Sequence, residues 1–318
     1  MPFLENVLRG RHVPRARMLE VAEHYHHFGG RSPINDQNRA LIAALNKVLA
    51  AEGPDLPVYW GNRNWHPLLP DTLRQMAADG VRRAFAFVTS AYSSYSGCRQ
   101  YLEDIARARE IVGPAAPEVL KLRVFYNHPG FIEPMADRVR AAIDRLPPER
   151  RESAALAFTA HSVPVSMART SRYVEQVEEA CRLVAGRVSR SKYRLVYQSR
   201  SGAPGQPWLE PDVLDYLREV AAAGGVRDVI LAPIGFISDH MEVVYDLDTE
   251  ARRLADQLGL HMIRAATAGD DPRFAAMIRE LVLERLSGAP RRYLGEHGPS
   301  HDFCAPDCCP APEILHRA

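Results

Sequence analysis

No run of apolar residues in this chain is long enough to span a bilayer, and no leader of basic, apolar and small residues opens it. Both absences argue against a membrane-embedded or secreted protein, and the expectation is a cytoplasmic one. An excess of either charge is also lacking. The 40 Lys and Arg stand against 39 Asp and Glu, a net charge of +1, so nothing recruits nucleic acid by electrostatics. Cysteine is scarce: 5 in 318 residues do not make a disulfide framework, and three of them crowd the C-terminus. What remains is the balance of a soluble globular chain, 46 % hydrophobic and 25 % charged, able to bury a sizeable core. The length suits two domains or one large α/β unit. A monomer is expected.

Helical periodicity covers residues 2–8, 15–28 and 35–51. Short apolar runs follow at 57–61, 81–89 and 122–126, separated by helical patterns near 70–78, 101–111 and 132–146. This alternation predicts an α/β fold with parallel, doubly wound sheets. A second half repeats it with four strands, beginning near Ala154, Tyr193, Val229 and His261. The predicted division is a Rossmann-like half over 1–147, a second over 148–288, and a Pro- and Cys-rich tail over 289–318. The tail's composition argues against a packed domain.

Residues 229–251 read VILAPIGFISDHMEVVYDLDTEA. An apolar run ends at Ala232-Pro233, Gly235 and Ser238 turn the chain, and a helical pattern begins at Asp239. Asp239, Glu242, Asp246 and Glu250 then recur at spacings that place them on one helix face. Like charges so placed repel, so local folding does not explain the row. Oxygen ligands pointing into a cleft beyond a strand's carboxyl end would, because such a row can relay cations or protons. The alternative is a capping box from Asp239 to Glu242, with the other acids in solvent. A second apolar run, 154–160, leads into His161-Ser162-Val163-Pro164. It sets a histidine at a strand's carboxyl end, where open α/β sheets carry their chemistry; the alternative is a satisfied core histidine. His240 neighbours the acidic row but is turned about 100° from it on a helix, and reads as support.

The wording FTAHSVP, followed by PIGFISDHMEVVYDLD, resembles the ferrochelatase family, in particular the coproporphyrin ferrochelatases of Gram-positive, actinobacterial-type bacteria. Tyr197-Gln-Ser-Arg with Pro207-Trp-Leu-Glu-Pro, Gly29-Gly-Arg-Ser-Pro-Ile-Asn, Gly61-Asn-Arg-Asn-Trp-His-Pro and Thr89-Ser-Ala-Tyr-Ser-Ser-Tyr-Ser-Gly-Cys are similar to the same family, in order, over roughly residues 2–286. The resemblance implies insertion of Fe²⁺ into coproporphyrin III, with His161 and Glu242 as catalytic and metal-binding pair. Asp246 and Glu250 would extend the acidic row as a relay. Neutral imidazole, with an ordinary pKa of about 6.5, can accept a pyrrole proton or bind the metal near neutrality. For the macrocycle the resemblance implies propionate contacts at Ser32 and Tyr101, a basic lip at Arg9 and Arg11, and Tyr25 beside His24. Ordinary surface roles are the alternative for Arg9, Arg11 and His24. Tyr92, Tyr95 and Trp65 either line the cleft or belong to the core. Relatives begin with an apolar strand and Gly-rich turn upstream of Pro2, so the first strand of the N-terminal half is expected to be missing here.

Some ferrochelatases carry a 2Fe–2S cluster on three C-terminal cysteines and one internal cysteine. Cys304, Cys308 and Cys309 resemble the terminal set; Cys98, in the Tyr-Ser-Gly-Cys loop, is the choice for the fourth ligand, with Cys181 read as a buried small hydrophobe. A Zn²⁺ site or a disordered thiol tail are the alternatives. For the whole chain three functions stand open. One is ferrochelatase on coproporphyrin III, or on protoporphyrin IX; another is a non-catalytic porphyrin or haem carrier; the third is a sister chelatase for another tetrapyrrole or metal. Sequence does not choose between porphyrins with two and four propionates.

Overall fold

The structure, a computed structural model, describes residues 15, 18, 19, 22, 25, 28–30, 32–201 and 205–311. The second half is built on four parallel strands: β3 (Ala155–His161), β4 (Arg194–Gln198), β5 (Asp228–Ala232) and β6 (His261–Arg264), in the order β4-β3-β5-β6. All of β5 is buried, and so is β3 apart from its two ends. That double burial is why their sequences are continuous apolar runs rather than alternating ones. Helices α5 (Tyr173–Arg187), α6 (Val213–Ala223) and α7 (Pro272–Leu286), together with helical residues 241–257, supply the crossovers and the covering layers. One apolar cluster, around Phe158, Ile230 and Val184, joins this sheet to the first half; a second, around Val196, Leu231 and Leu247, lies on its other face.

In the first half, α1 (Ile34–Glu52), α2 (Leu69–Ala78), α3 (Gln100–Val112) and α4 (Pro129–Asp144) surround two parallel strands, β1 (Arg83–Ala86) and β2 (Glu118–Lys121). The sequence pattern called for three. Residues 57–61 form no strand and, among the described residues, have no ladder partner; the single bridge nearby runs from Asn62 to Leu68. The third expected strand, 122–126, is displaced. Pairing stops at Lys121, and the buried residues 122–126 continue as irregular chain beneath α4. Arg15, Met18, Leu19, Ala22 and Tyr25 are helical as expected, whereas residues 2–8 lie outside the described set.

The tail departs from its expected looseness. Residues 289–311 form no helix or strand, yet they are pinned at several points. Arg123 and Glu284, nearly inaccessible, pair through two hydrogen bonds of 2.7 and 2.8 Å, and Arg123 donates again to the Arg292 carbonyl at 2.9 Å. Asn127 holds the Leu294 and Gly298 carbonyls at 3.2 and 2.8 Å. Buried Asp302 takes Arg285 and Arg291. Polar and charged partners, with Leu294 and Cys304 packed against the core, fix a segment whose composition reads as loop. Among the described residues no helix is long and apolar enough to cross a membrane.

Candidate active site

His161 is the last residue of β3 and projects from the carboxyl edge of the sheet. Its Nδ1 lies 2.5 Å from the Ser162 carbonyl, a partner that only accepts, so Nδ1 carries a proton and, in the neutral ring, Nε2 carries the lone pair. Nε2 faces Glu242 Oε2 at 3.7 Å. Tyr173 steadies the strand end by donating to the His161 carbonyl at 2.8 Å.

Glu242 arrives from β5 by a turn that only glycine permits. A Cβ on Gly235 would fall 2.6 Å from Ala160 Cα, so its absence lets the turn close on β3 and brings residues 239–242 beside His161. The helix itself begins at Met241, with His240 as its N-cap accepting from the Glu242 N–H at 3.2 Å. His240 packs edge-on against Phe236, and burial lowers its pKa below the ordinary imidazole value. Its support role is structural, as the sequence implied.

Asp239 leaves the row. It precedes the helix, pairs with Arg264 at 2.9 Å, and is clasped through its backbone by Gln37. The capping-box alternative fails for the same reason, since His240 and not Asp239 caps the helix. Glu242 stands on the α turn Met241–Val243, while Asp246 and Glu250 stand on an unusual stretch: residues Val244–Ala251 are π-helical. Wider turns keep residues four apart more nearly in line than α-helical turns do, and π segments gather at functional sites. Asp246 is half-buried, accepting from Ser199 Oγ and from Gln198 Nε2, the latter at 3.3 Å. Burial, with the charges of Glu242 and Glu250, pushes its carboxyl up to about 7. Tyr25 stands near enough to Glu242 that burial and that charge raise its phenol to about 12.

Of the porphyrin contacts, Ser32 sits at the start of α1, its Oγ accepting from the Ile34 N–H at 3.3 Å. Tyr101 lies under Arg63, whose guanidinium stacks 4.0 Å from the ring centroid and pairs with Asp104. Arg9, Arg11 and His24 lie outside the described residues. Tyr92 is core, 2 % exposed, with its hydroxyl on the Ile234 carbonyl at 2.7 Å, while Trp65 is exposed.

The cysteines form a second centre. Cys98 lies in a π turn, Tyr95–Arg99, and its thiol is raised by contact with Cys304 and then by burial. Cys308 and Cys309 have their sulfurs 3.8 Å apart, and the charge of each of the pair acts on its neighbours, Cys98 included. Four thiols thus converge from a loop and a tail some two hundred residues apart in sequence. Two neighbours gave no sequence signal. His301 Nε2 stands 3.6 Å from Cys304 Sγ and 3.7 Å from Cys308 Sγ. Lys121 is buried, with its Nζ on the Leu122 carbonyl at 3.0 Å, and its charge favours ionised sulfur at Cys98, Cys304 and Cys309. A buried ammonium beside clustered thiols suits an anionic metal–thiolate group. Cys181 is fully buried on α5, away from this cluster.

A histidine and a carboxylate thus face each other at the carboxyl end of a parallel sheet, followed by further acids on the next helix. Solved structures agree on the fold. Sirohydrochlorin chelatase SirB from Bacillus subtilis subspecies spizizenii, in complex with cobalt, superposes with a TM-score of 0.51 at 13 % identity, covering 80 % of this chain and 91 % of that one. The family follows from sequence: the Ferrochelatase family model matches residues 1–286, and the chain belongs to that family. It is 57 % identical to the ferrochelatase of Rhodopirellula baltica, over 97 % of this chain and 88 % of that protein. It is 53 % identical to the coproporphyrin III ferrochelatase of Streptomyces griseus, over 98 % and 89 %. The enzyme of that name from Nocardia farcinica is also 53 % identical, over 97 % and 91 %.

Proposed function

We propose that this protein is a coproporphyrin III ferrochelatase, a lyase-class metal chelatase that replaces the two pyrrole N–H protons of coproporphyrin III with Fe²⁺ in haem biosynthesis. The observation that carries the reading is the His161–Glu242 pair, 3.7 Å apart and both open to solvent. His161 Nε2, unprotonated, takes a pyrrole proton or binds the incoming iron; Glu242 completes the metal's coordination and receives the proton. Asp246, poised near neutrality, and Glu250 carry it outward. Two protons leave for each Fe²⁺ inserted, so no oxidant or reductant is needed. Ser32 and Tyr101, with Tyr25, Arg9 and Arg11, are assigned to the macrocycle and its carboxylates. The names of several relatives favour coproporphyrin III over protoporphyrin IX.

The reading extends to the division at 147/148 and 288/289, a cytoplasmic location and a monomer. It also includes a 2Fe–2S cluster on Cys98, Cys304, Cys308 and Cys309, whose thiols and neighbouring Lys121 fit such a group. A bound cluster would cross-link tail to loop with redox-active iron; the insertion chemistry lies with His161 and Glu242 instead.

The test separates binding from insertion. His161→Ala is expected to abolish Fe²⁺ insertion while porphyrin binding, read by fluorescence quenching, stays nearly intact. Near-full turnover in that variant would remove the assignment.

A further inference from the structure

Two consecutive residues at the end of β4 carry features that cost stability, and both converge on one carboxylate. Gln198 is 1 % exposed and lies opposite His161 in the parallel ladder. Its Nε2 donates to the Glu242 carbonyl and to Asp246 Oδ2, both at 3.3 Å. The Glu242 carbonyl can only accept, which fixes the nitrogen end of the amide. Its Oε1 is left buried with no protein partner, an unfavourable state for a carbonyl. Ser199 follows with φ at 63°, the left-handed region that a residue with a side chain seldom enters. That conformation carries its hydroxyl onto Asp246, where it donates to the same Oδ2. Regular pairing ends at Gln198, so the sheet gains nothing from the turn.

We propose that Gln198 and Ser199 are positioning residues for iron insertion, holding Asp246 as an anion between Glu242 and Glu250 so that it takes the proton released at the His161–Glu242 pair. The inference rests on the relay reading of the acidic row. The titratable groups around Asp246 are Glu242 and Glu250 on its own helix, with His161 reaching Glu242 from β3; β4 contributes the neutral Gln198 and Ser199. The two hydrogen bonds favour the charged form, against burial and the neighbouring carboxylates.

The experiment measures Fe²⁺ insertion by the full-length chain from pH 6 to 9. Ser199→Gly accepts the left-handed backbone and removes the donor; Ser199→Ala removes the donor and keeps the strain. Both are expected to lower kcat about 5-fold near pH 7 and to move the acid limb upward by about one unit, with recovery at pH 9. The KM for porphyrin should stay within about twofold, since neither side chain is assigned to the macrocycle. Ser199→Asn, which tolerates left-handed backbone and offers an amide N–H, is expected to restore the profile. Gln198→Leu should shift it in the same direction as Ser199→Gly. On an Asp246→Asn background, Ser199→Gly should change nothing further. Wild-type behaviour in Ser199→Gly would show that only the backbone matters and would overturn the proposal, as would a loss uniform across pH. Full turnover in Asp246→Asn would remove the relay reading and this inference with it. An impaired Asp246→Asn beside unshifted Ser199 and Gln198 variants would remove this inference alone.

Discussion

Replacing Asp246 with Asn should make the fold more stable, and only above a defined pH. In the folded chain the carboxyl is raised to about 7 from an ordinary 3.8, chiefly by burial. Between those values the native state holds a proton that the unfolded chain has released, so native stability falls as pH rises from 4 towards 7. The relative stabilisation is complete below the unfolded value and is lost on passing the folded one. A gap of about three units corresponds to an upper figure of about 4 kcal/mol, and water reaching the half-buried group reduces it to roughly 2–4 kcal/mol. Asn has nearly the same shape and no charge, so the variant should match or fall slightly below wild type near pH 4, having weakened the bond from Ser199. By pH 8 it should exceed wild type by roughly 4–12 °C in melting temperature. Melting both proteins at half-unit steps from pH 4 to 8 reads the difference directly, since other titrating groups are common to the two. A constant difference across that range would refute the assignment of the raised carboxyl to Asp246.

Glu242→Gln, which keeps shape and removes charge, should slow insertion at least 100-fold with little change in porphyrin affinity; a loss confined to affinity would move Glu242 from the chemistry to the binding wall. Protein produced with adequate iron and sulfide should be reddish-brown with two irons and two acid-labile sulfides per chain, as expected of one 2Fe–2S cluster. Cys98→Ser, Cys304→Ser, Cys308→Ser and Cys309→Ser should each bleach it while Cys181→Ser does not. Stoichiometric zinc without sulfide, lost in His301→Ala, would replace the cluster with a Cys/His zinc site. Arg123→Met leaves the Glu284 carboxylate buried and unpaired, and should cost about 3–5 kcal/mol and free the tail to proteolysis; an unchanged melting temperature would show that the pair does not anchor it.

The second half was legible because doubly buried strands announce themselves as apolar runs. The histidine at the end of one of them needed only the strand to be found. The first half was less so. Residues 57–61 have strand composition, but a strand exists only where a distant segment pairs with it, and none among the described residues does. The acidic row was half right. Its spacing fits an α-helical face, and nothing local reveals that Arg264, on β6, removes Asp239 from it or that the turns beneath Asp246 widen. Cys98, singled out by its loop, lies in contact with Cys304 of the tail. By contrast, His301 and Lys121 had no readable signal, because their meaning lies in a tail folded back over β2 and the loop carrying Cys98.

The central claim is that this chain inserts Fe²⁺ into coproporphyrin III through His161. The direct measurement is anaerobic, with Fe²⁺ supplied to the chain and to His161→Ala in the presence of either coproporphyrin III or protoporphyrin IX, following the metalloporphyrin absorbance. The account predicts rapid formation of iron coproporphyrin by the chain, much slower use of protoporphyrin IX, and neither product from the variant. Tight porphyrin binding without metal insertion would contradict it in favour of a carrier, and equal rates in chain and variant would contradict the role of His161.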